Sequence, residues 1–214
     1  MYIAGRGTYR LGAVDMIVPE LSAEVKAEID QALKAGNRII GLAHSQGHLK
    51  DRVVPQDAVL LALILIKDVV KEDARDIIAY FKSQDVDVKI ISGDYPDTVA
   101  AIAKDVGVTG KAIISADIPE DMTELQKVVK ETSIFGRVTP PQKRNIIQAL
   151  QNNGHTTCMV GDGINDILAL KQSDCAIAFA SGSEATKAVA KFVLLENDFS
   201  TLPNVVKEGR KVIN

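Results

Sequence analysis

The sequence predicts an α/β protein: a parallel sheet with helices on both faces, joined to a small α+β lobe. Three observations carry that expectation. From about Asp68 onward, short β-rich runs alternate with segments of helical period. Those runs are continuously apolar rather than alternating, as strands buried on both faces are. Before Asp68 a single amphipathic helix stripe lies among strand-like runs instead. The boundary is placed near Asp68, dividing the chain into 1–68 and 69–214.

In the first lobe, Leu21, Val25, Ile29 and Leu33 recur every four residues, so 22–35 is expected to be a helix ended by Gly36. Strand-like runs occupy 7–14, 38–44 and 59–67, and the apolar stretch of the last reads as a buried strand. In the second lobe, 88–92 reads as a buried strand and 97–105 as a helix. A strand at 111–115 and a helix at 119–130 follow, then a short extended piece at 133–135. Residues 139–151 are helical, with Ile146, Ile147 and Leu150 on one face. Next come a strand at 156–160, a helix at 165–171 and a strand at 175–179. A helix at 184–189, a strand at 192–195 and a helix from about Ser200 complete the order.

Composition narrows the function. The 214 residues carry 25 basic and 28 acidic side chains, a net charge of -3, which argues against general affinity for nucleic acid or anionic lipid. With 46% hydrophobic and 25% charged residues the chain is globular, not disordered. The longest apolar run, 58–66, is far short of the ~20 residues that span a bilayer. Arg6 and Arg10 precede no apolar signal-peptide core, so a soluble chain is expected. Cys158 and Cys175 have no metal-site spacing and sit in apolar segments, which favours reduced thiols in a cytosolic setting.

The strongest motif is Met159-Val160-Gly161-Asp162-Gly163-Ile164-Asn165-Asp166, an apolar strand ending in a glycine-rich turn that opens a helix. In open α/β sheets ligands bind at the carboxyl ends of strands. Asp162 and Asp166, four apart across the turn, can face one point, and two hard oxygen ligands beside a phosphate site suit Mg²⁺. An Asx-turn and helix cap would explain a lone Gly-Asp-Gly, but not the second aspartate with Asn165 beside it. A second strand ends in Ser92-Gly93-Asp94 before a helix, where a hydroxyl and free N–H groups form a phosphate cradle. By itself Ser-Gly-Asp is a common turn. Lys143, in Phe135-Gly136-Arg137-Val138-Thr139-Pro140-Pro141-Gln142-Lys143, falls in a first helical turn, where a cation opposes the macrodipole and implies an anion nearby. His44, His48 and His155 are too scattered for a metal site, and Ser181-Gly182-Ser183-Glu184 reads as a helix cap.

These three motifs, in this order and spacing, resemble the cytoplasmic catalytic part of a P-type cation-transporting ATPase, within the haloacid-dehalogenase-like superfamily. The resemblance covers nearly the whole chain. It implies a haloacid-dehalogenase-like Rossmannoid sheet in 69–214 and the end of a nucleotide-binding lobe in 1–68. By the same resemblance, Asp162 coordinates Mg²⁺ with Asp166 in support, together with Gly161, Gly163 and Asn165. Lys143 neutralises the transferred phosphoryl group, and Ser92, Gly93 and Asp94 cradle it. Arg38 contacts ATP phosphates, and Asp68 matches the hinge aspartate of Asp-Pro-Pro-Arg, here Asp68-Val69-Val70-Lys71. Leu11-Gly12-Ala13 stands where the family often has Lys-Gly-Ala, and Tyr95 where it often has Asn.

The family's phosphorylated aspartate lies in Asp-Lys-Thr-Gly-Thr, and that run does not occur here. In the family this motif also ends the central strand, so its loss leaves a gap between two apolar edges. The resemblance then implies a fragment of an ATP-driven pump, soluble in itself and derived from the cytoplasmic face of a membrane parent. Its partners are ATP and phosphate, the remaining pump domains and membrane helices, and in the parent an inorganic cation. Lacking the nucleophile, it is expected not to turn over ATP. Two alternatives stay open: a free-standing phosphatase with Asp68 as nucleophile, and a non-catalytic module that keeps the Mg²⁺ and phosphate cradle.

Overall fold

Ser22 and Gly36 delimit the first long helix as their chemistry requires. In the computed structural model, which describes residues 1–46, 55–67, 69–196 and 198–213, the Ser22 hydroxyl accepts from the Val25 N–H at 3.3 Å. Gly36 takes the left-handed φ of 80° that stops the helix. The chain divides into two compact units, Met1–Val69 and Val70–Asn214.

The first unit is a four-stranded antiparallel sheet in the order β1 (Tyr2–Ile3), β2 (Gly7–Gly12), β3 (Asn37–Ser45), β4 (Val59–Lys67). Helices α1 (Val14–Ile17) and α2 (Ala23–Lys34) pack on it. Their core gathers Val14, Ile17, Val18, Ala43 and Ala58, with Leu60 and Leu63 of β4 packed against it. A bulge puts Leu61 out of register between Leu60 and Ala62, which pair with Ala43 and Leu42. It lets both Leu60 and Leu63 reach the helices despite their odd spacing. The expectation of a buried β4 is corrected: Val59, Leu61, Ile64, Leu65 and Ile66 are 40–61% exposed. The reason is position, because β4 is an edge strand and only Leu60 and Leu63 reach the helix-side core.

In the second unit every strand pair is parallel. One sheet has the order β5 (Ile90–Ile91), β7 (Thr132–Gly136), β6 (Lys111–Ile114), and the other β10 (Phe192–Leu194), β9 (Cys175–Phe179), β8 (Cys158–Gly161). Thus the predicted sheet occurs as two three-stranded pieces, with β5 and β8 each at an outer edge. Alternation along the strands sets the layers. In β7, Ile134 faces α4 (Pro96–Asp105) with Val99 and Ala103, while Phe135 faces α5 (Met122–Glu131) and α6 (Pro140–Asn152) with Leu125, Val129 and Ile146. Met159 and Ala176 pack with Ile147 of α6 and with Ala169 and Leu170 of α7 (Ile167–Gln172). The other face of that sheet, with Ile177 and Leu194, packs on Phe81 of α3 (Ala74–Ser83), Phe199 and Leu202. Helix α8 (Glu184–Val189) precedes β10, and α9 (Leu202–Ile213) ends the unit. Helices on both faces of parallel strands are what the sequence predicts.

Candidate functional site

The Gly161–Asp166 turn folds back on itself because Gly161 has no side chain. A Cβ there would lie 2.7 Å from the Asp166 Cβ, so glycine alone lets Asp166 sit over the end of β8. The Asp166 N–H donates to the Gly163 carbonyl at 3.0 Å, and the Gly163 N–H donates to Asp166 Oδ2 at 3.3 Å. A 3₁₀ turn over Ile164–Asp166 then runs into α7.

Lys143 meets that turn from α6. Thr139 caps the helix, and its N–H and hydroxyl donate to Gln142 Oε1 at 3.1 and 2.9 Å. One residue later, Lys143 is 7% exposed and its Nζ donates to Asp166 Oδ1 at 2.7 Å. The anion that a first-turn lysine implies is therefore the Asp166 carboxylate. A buried ammonium and a buried carboxylate persist only when paired and hydrogen-bonded, and each is the other's counter-charge here. An ammonium has three donors, so two of Lys143's remain for a further acceptor.

Asp162 is held by its backbone and open at its side chain. Its carbonyl accepts from the Ser183 N–H at 3.0 Å and from the Thr186 hydroxyl at 3.2 Å. Thr186 is fully buried, and Ser183 also caps α8 by accepting from the Thr186 N–H at 3.1 Å. The Asp162 side chain is exposed, and among the described residues its carboxylate meets no donor. Ser183 thus fills the capping role expected of it and also fixes Asp162. Sequence reading missed Thr186, because nothing in its spacing signals a side chain that reaches back across 24 residues.

The Ser92-Gly93-Asp94 turn sits at the end of β5 and is tied to the end of β7. The Ser92 N–H donates to Phe135 at 2.9 Å, the Val138 N–H to Ser92 at 3.0 Å and the Arg137 N–H to Asp94 at 2.7 Å. Within the turn, the Asp94 N–H donates to Ser92 Oγ at 3.1 Å. Gly93 is exposed, and a Cβ on it would meet nothing within 4 Å. The Arg137 guanidinium lies 4.5 Å over the Tyr95 ring.

The predicted residues therefore fall in two strand-end groups and some outliers. Lys143, Asp166, Gly161, Gly163 and Asp162 form one group; Ser92, Gly93 and Asp94 form the other. Beneath them, Ile91 of β5 packs against the cluster that contains Met159 of β8. Asn165 is exposed beside the first group. Arg38 is exposed on β3 of the first unit, and Asp68 and His48 lie outside the described residues. Among the described residues no three His, Cys, Asp or Glu side chains converge as a metal cage. The donor set still fits Mg²⁺, which takes one or two carboxylates and completes its octahedron with water and phosphate oxygens.

An α/β unit of parallel strands, with an acidic turn and a buried lysine at one strand end, defines the class of proteins that bind ligands beyond the carboxyl edge of a sheet. The chain belongs to the haloacid dehalogenase-like hydrolases, whose family profile matches residues 10–174. It is similar to a probable cation-transporting ATPase of Streptococcus pneumoniae, 44% identical over 100% of this chain and 27% of that protein. A calcium-transporting ATPase of Mycolicibacterium smegmatis is 42% identical over 97% of this chain and 26% of its own length. One of Bacillus subtilis is 30% identical over 95% and 24%. The chain spans about a quarter of the length of these curated relatives. No helix among the described residues is long and apolar enough to cross a membrane.

Proposed function

We propose that this chain is the phosphoryl-binding portion, with part of the nucleotide-binding lobe, of an ATP-driven cation pump at a membrane. In the parent, ATP hydrolysis through an aspartyl phosphate would drive cation transport. The single observation that carries the reading is the buried Lys143–Asp166 pair, 2.7 Å long, beside the open carboxylate of Asp162. Relatives named as cation- and calcium-transporting ATPases support the same reading.

In this proposal Asp162, with Asp166 in support, holds Mg²⁺, and the metal's chemistry there is to neutralise charge on phosphoryl oxygens. Lys143 turns its two remaining donors to the phosphoryl group while Asp166 keeps the ammonium in place. Ser92 Oγ and the N–H groups around Gly93 hydrogen-bond other oxygens of the same group. Asp94 completes that cradle with Ser92 and Gly93, Arg38 and Asp68 would serve the nucleotide and its phosphates, and Asn165 the metal turn. The chain itself has no Asp-Lys-Thr-Gly-Thr nucleophile and stabilises charge without accepting the phosphoryl group.

Calorimetric titration with beryllium fluoride in the presence of Mg²⁺ tests the site. Weak binding that disappears in Asp162→Asn and in Lys143→Met is expected. Binding unchanged in both variants would overturn the site assignment. Acid-stable, hydroxylamine-sensitive label on this chain from γ-labelled ATP would overturn its assignment as a non-accepting portion.

A further inference from the structure

Cys158 and Cys175 are the chain's two cysteines and have no role in the proposed site. They are the first residues of β8 and β9, and the parallel register sets them directly opposite each other. Directly opposed residues on paired strands point to the same face. Parallel strands lie about 4.8 Å apart, inside the Cα separation of roughly 4.4–6.8 Å that a disulfide spans.

The register here is fixed one residue upstream of both thiols. Asp174 Oδ2 accepts from the Thr157 N–H at 2.8 Å and from its hydroxyl at 2.9 Å. The Asp174 N–H donates back to Thr157 Oγ1 at 3.3 Å, and the Cys175 N–H donates to the Thr157 carbonyl at 3.0 Å. Gln151 adds a side-chain N–H to the same carboxylate at 3.1 Å. This latch leaves the two sulfurs little freedom to slide past one another. Both cysteines are free, Cys158 exposed and Cys175 half-buried, so an oxidant reaches the pair from the Cys158 side.

We propose that Cys158 and Cys175 are a vicinal dithiol that closes reversibly to an intrachain disulfide in exchange with a small-molecule disulfide such as oxidised glutathione. One thiolate attacks the glutathione disulfide, forming a mixed disulfide and releasing one glutathione thiolate. The second cysteine loses its proton to solvent, displaces the bound glutathione and forms the Cys158–Cys175 bond. Two protein thiols are oxidised, and one glutathione disulfide is reduced to two thiols. Desolvation of its sulfur, with the Cys175 thiol beside it, pushes the Cys158 thiol up to about 12, so the attacking thiolate is a minor species and closure is slow at neutral pH. The closed loop encloses Asp162, Asn165 and Asp166, the acidic turn of the candidate site.

The test equilibrates the whole chain with graded ratios of oxidised and reduced glutathione, quenches in acid, alkylates and reads intact mass and size. Expected is a monomer that has lost two hydrogens and takes up no alkylating agent. In Asp174→Ala the equilibrium constant for closure falls about fivefold, roughly one net hydrogen bond lost from the latch. Two alkylated thiols at every ratio would overturn the proposal. So would stable glutathione adducts or disulfide-linked dimers as the only products, since opposed thiols close faster than they capture a partner.

Discussion

The two units treat an apolar strand in opposite ways. In Val70–Asn214, β7 is covered on both faces, and Ile134 and Phe135, adjacent in sequence, are 2% and 0% exposed. In Met1–Val69, β4 is as apolar as any strand in the chain, yet Leu65 is 49% exposed and Ile64 43%. Composition alone did not separate these cases. Connection did: parallel strands need crossover segments, and the crossovers place helices on both faces. Antiparallel strands need only turns, so covering helices come to one face.

The largest expected effect breaks the comparison at its covered end. Phe135→Ala removes a fully buried ring from the cluster of Leu125, Val129 and Ile146. It should cost about 3–5 kcal/mol in the second unit. Hydrogen exchange should show faster opening of β6 and β7 with the first unit unchanged. Lys143→Met follows at about 3 kcal/mol, because it leaves the Asp166 carboxylate buried without its counter-charge. Urea denaturation should register that loss, and Asp166→Asn in the same background should recover part of it.

These two variants also divide what was legible in the sequence from what was not. The Gly161–Asp166 turn and the Lys143 helix start could be read because each is a local signal, a strand end or a helix cap, and local signals survive without tertiary knowledge. Even the anion demanded by Lys143 was readable in principle, but not that Asp166 supplies it from 23 residues away. Thr186 and Ser183, which clamp the Asp162 carbonyl, left no signal beyond an ordinary cap. From β5 onward helix and strand order was recovered in the second unit, with strand ends shifted by a residue or two. The bulge at Leu61 escaped because it reads as one more leucine in an apolar run.

A smaller effect is expected at the Asp174 latch. Hydrogen bonds from the Thr157 backbone, the Gln151 amide and the Thr157 hydroxyl hold this carboxyl down to about 2, below its ordinary 3.8. A carboxyl depressed on folding stabilises the fold above its unfolded value, and that stabilisation is lost as pH falls through the folded value. The difference in stability between the parent chain and Asp174→Asn should therefore be constant above pH 4. It should shrink between pH 4 and 2. A difference that persisted undiminished at pH 2 would show that the amide side chain simply packs worse.

The smallest effect on folding should come from the uncovered strand. Ile64 pairs with Ile40, and because Leu63 points to the helices, Ile64 points to the opposite face. Placing a lysine there removes little packing, so Ile64→Lys should change first-unit stability by less than about 1 kcal/mol. Its consequence should lie in association. From Val59 to Lys67, β4 carries a single charge, at its end, and presents an apolar edge that no strand among the described residues pairs with, the pattern that natural sheets interrupt with lysine. Sedimentation of the parent chain should show concentration-dependent self-association that Ile64→Lys reduces. If instead the lysine unfolds the first unit as severely as Phe135→Ala unfolds the second, the exposed face of β4 is structural core, and the contrast between the two units fails.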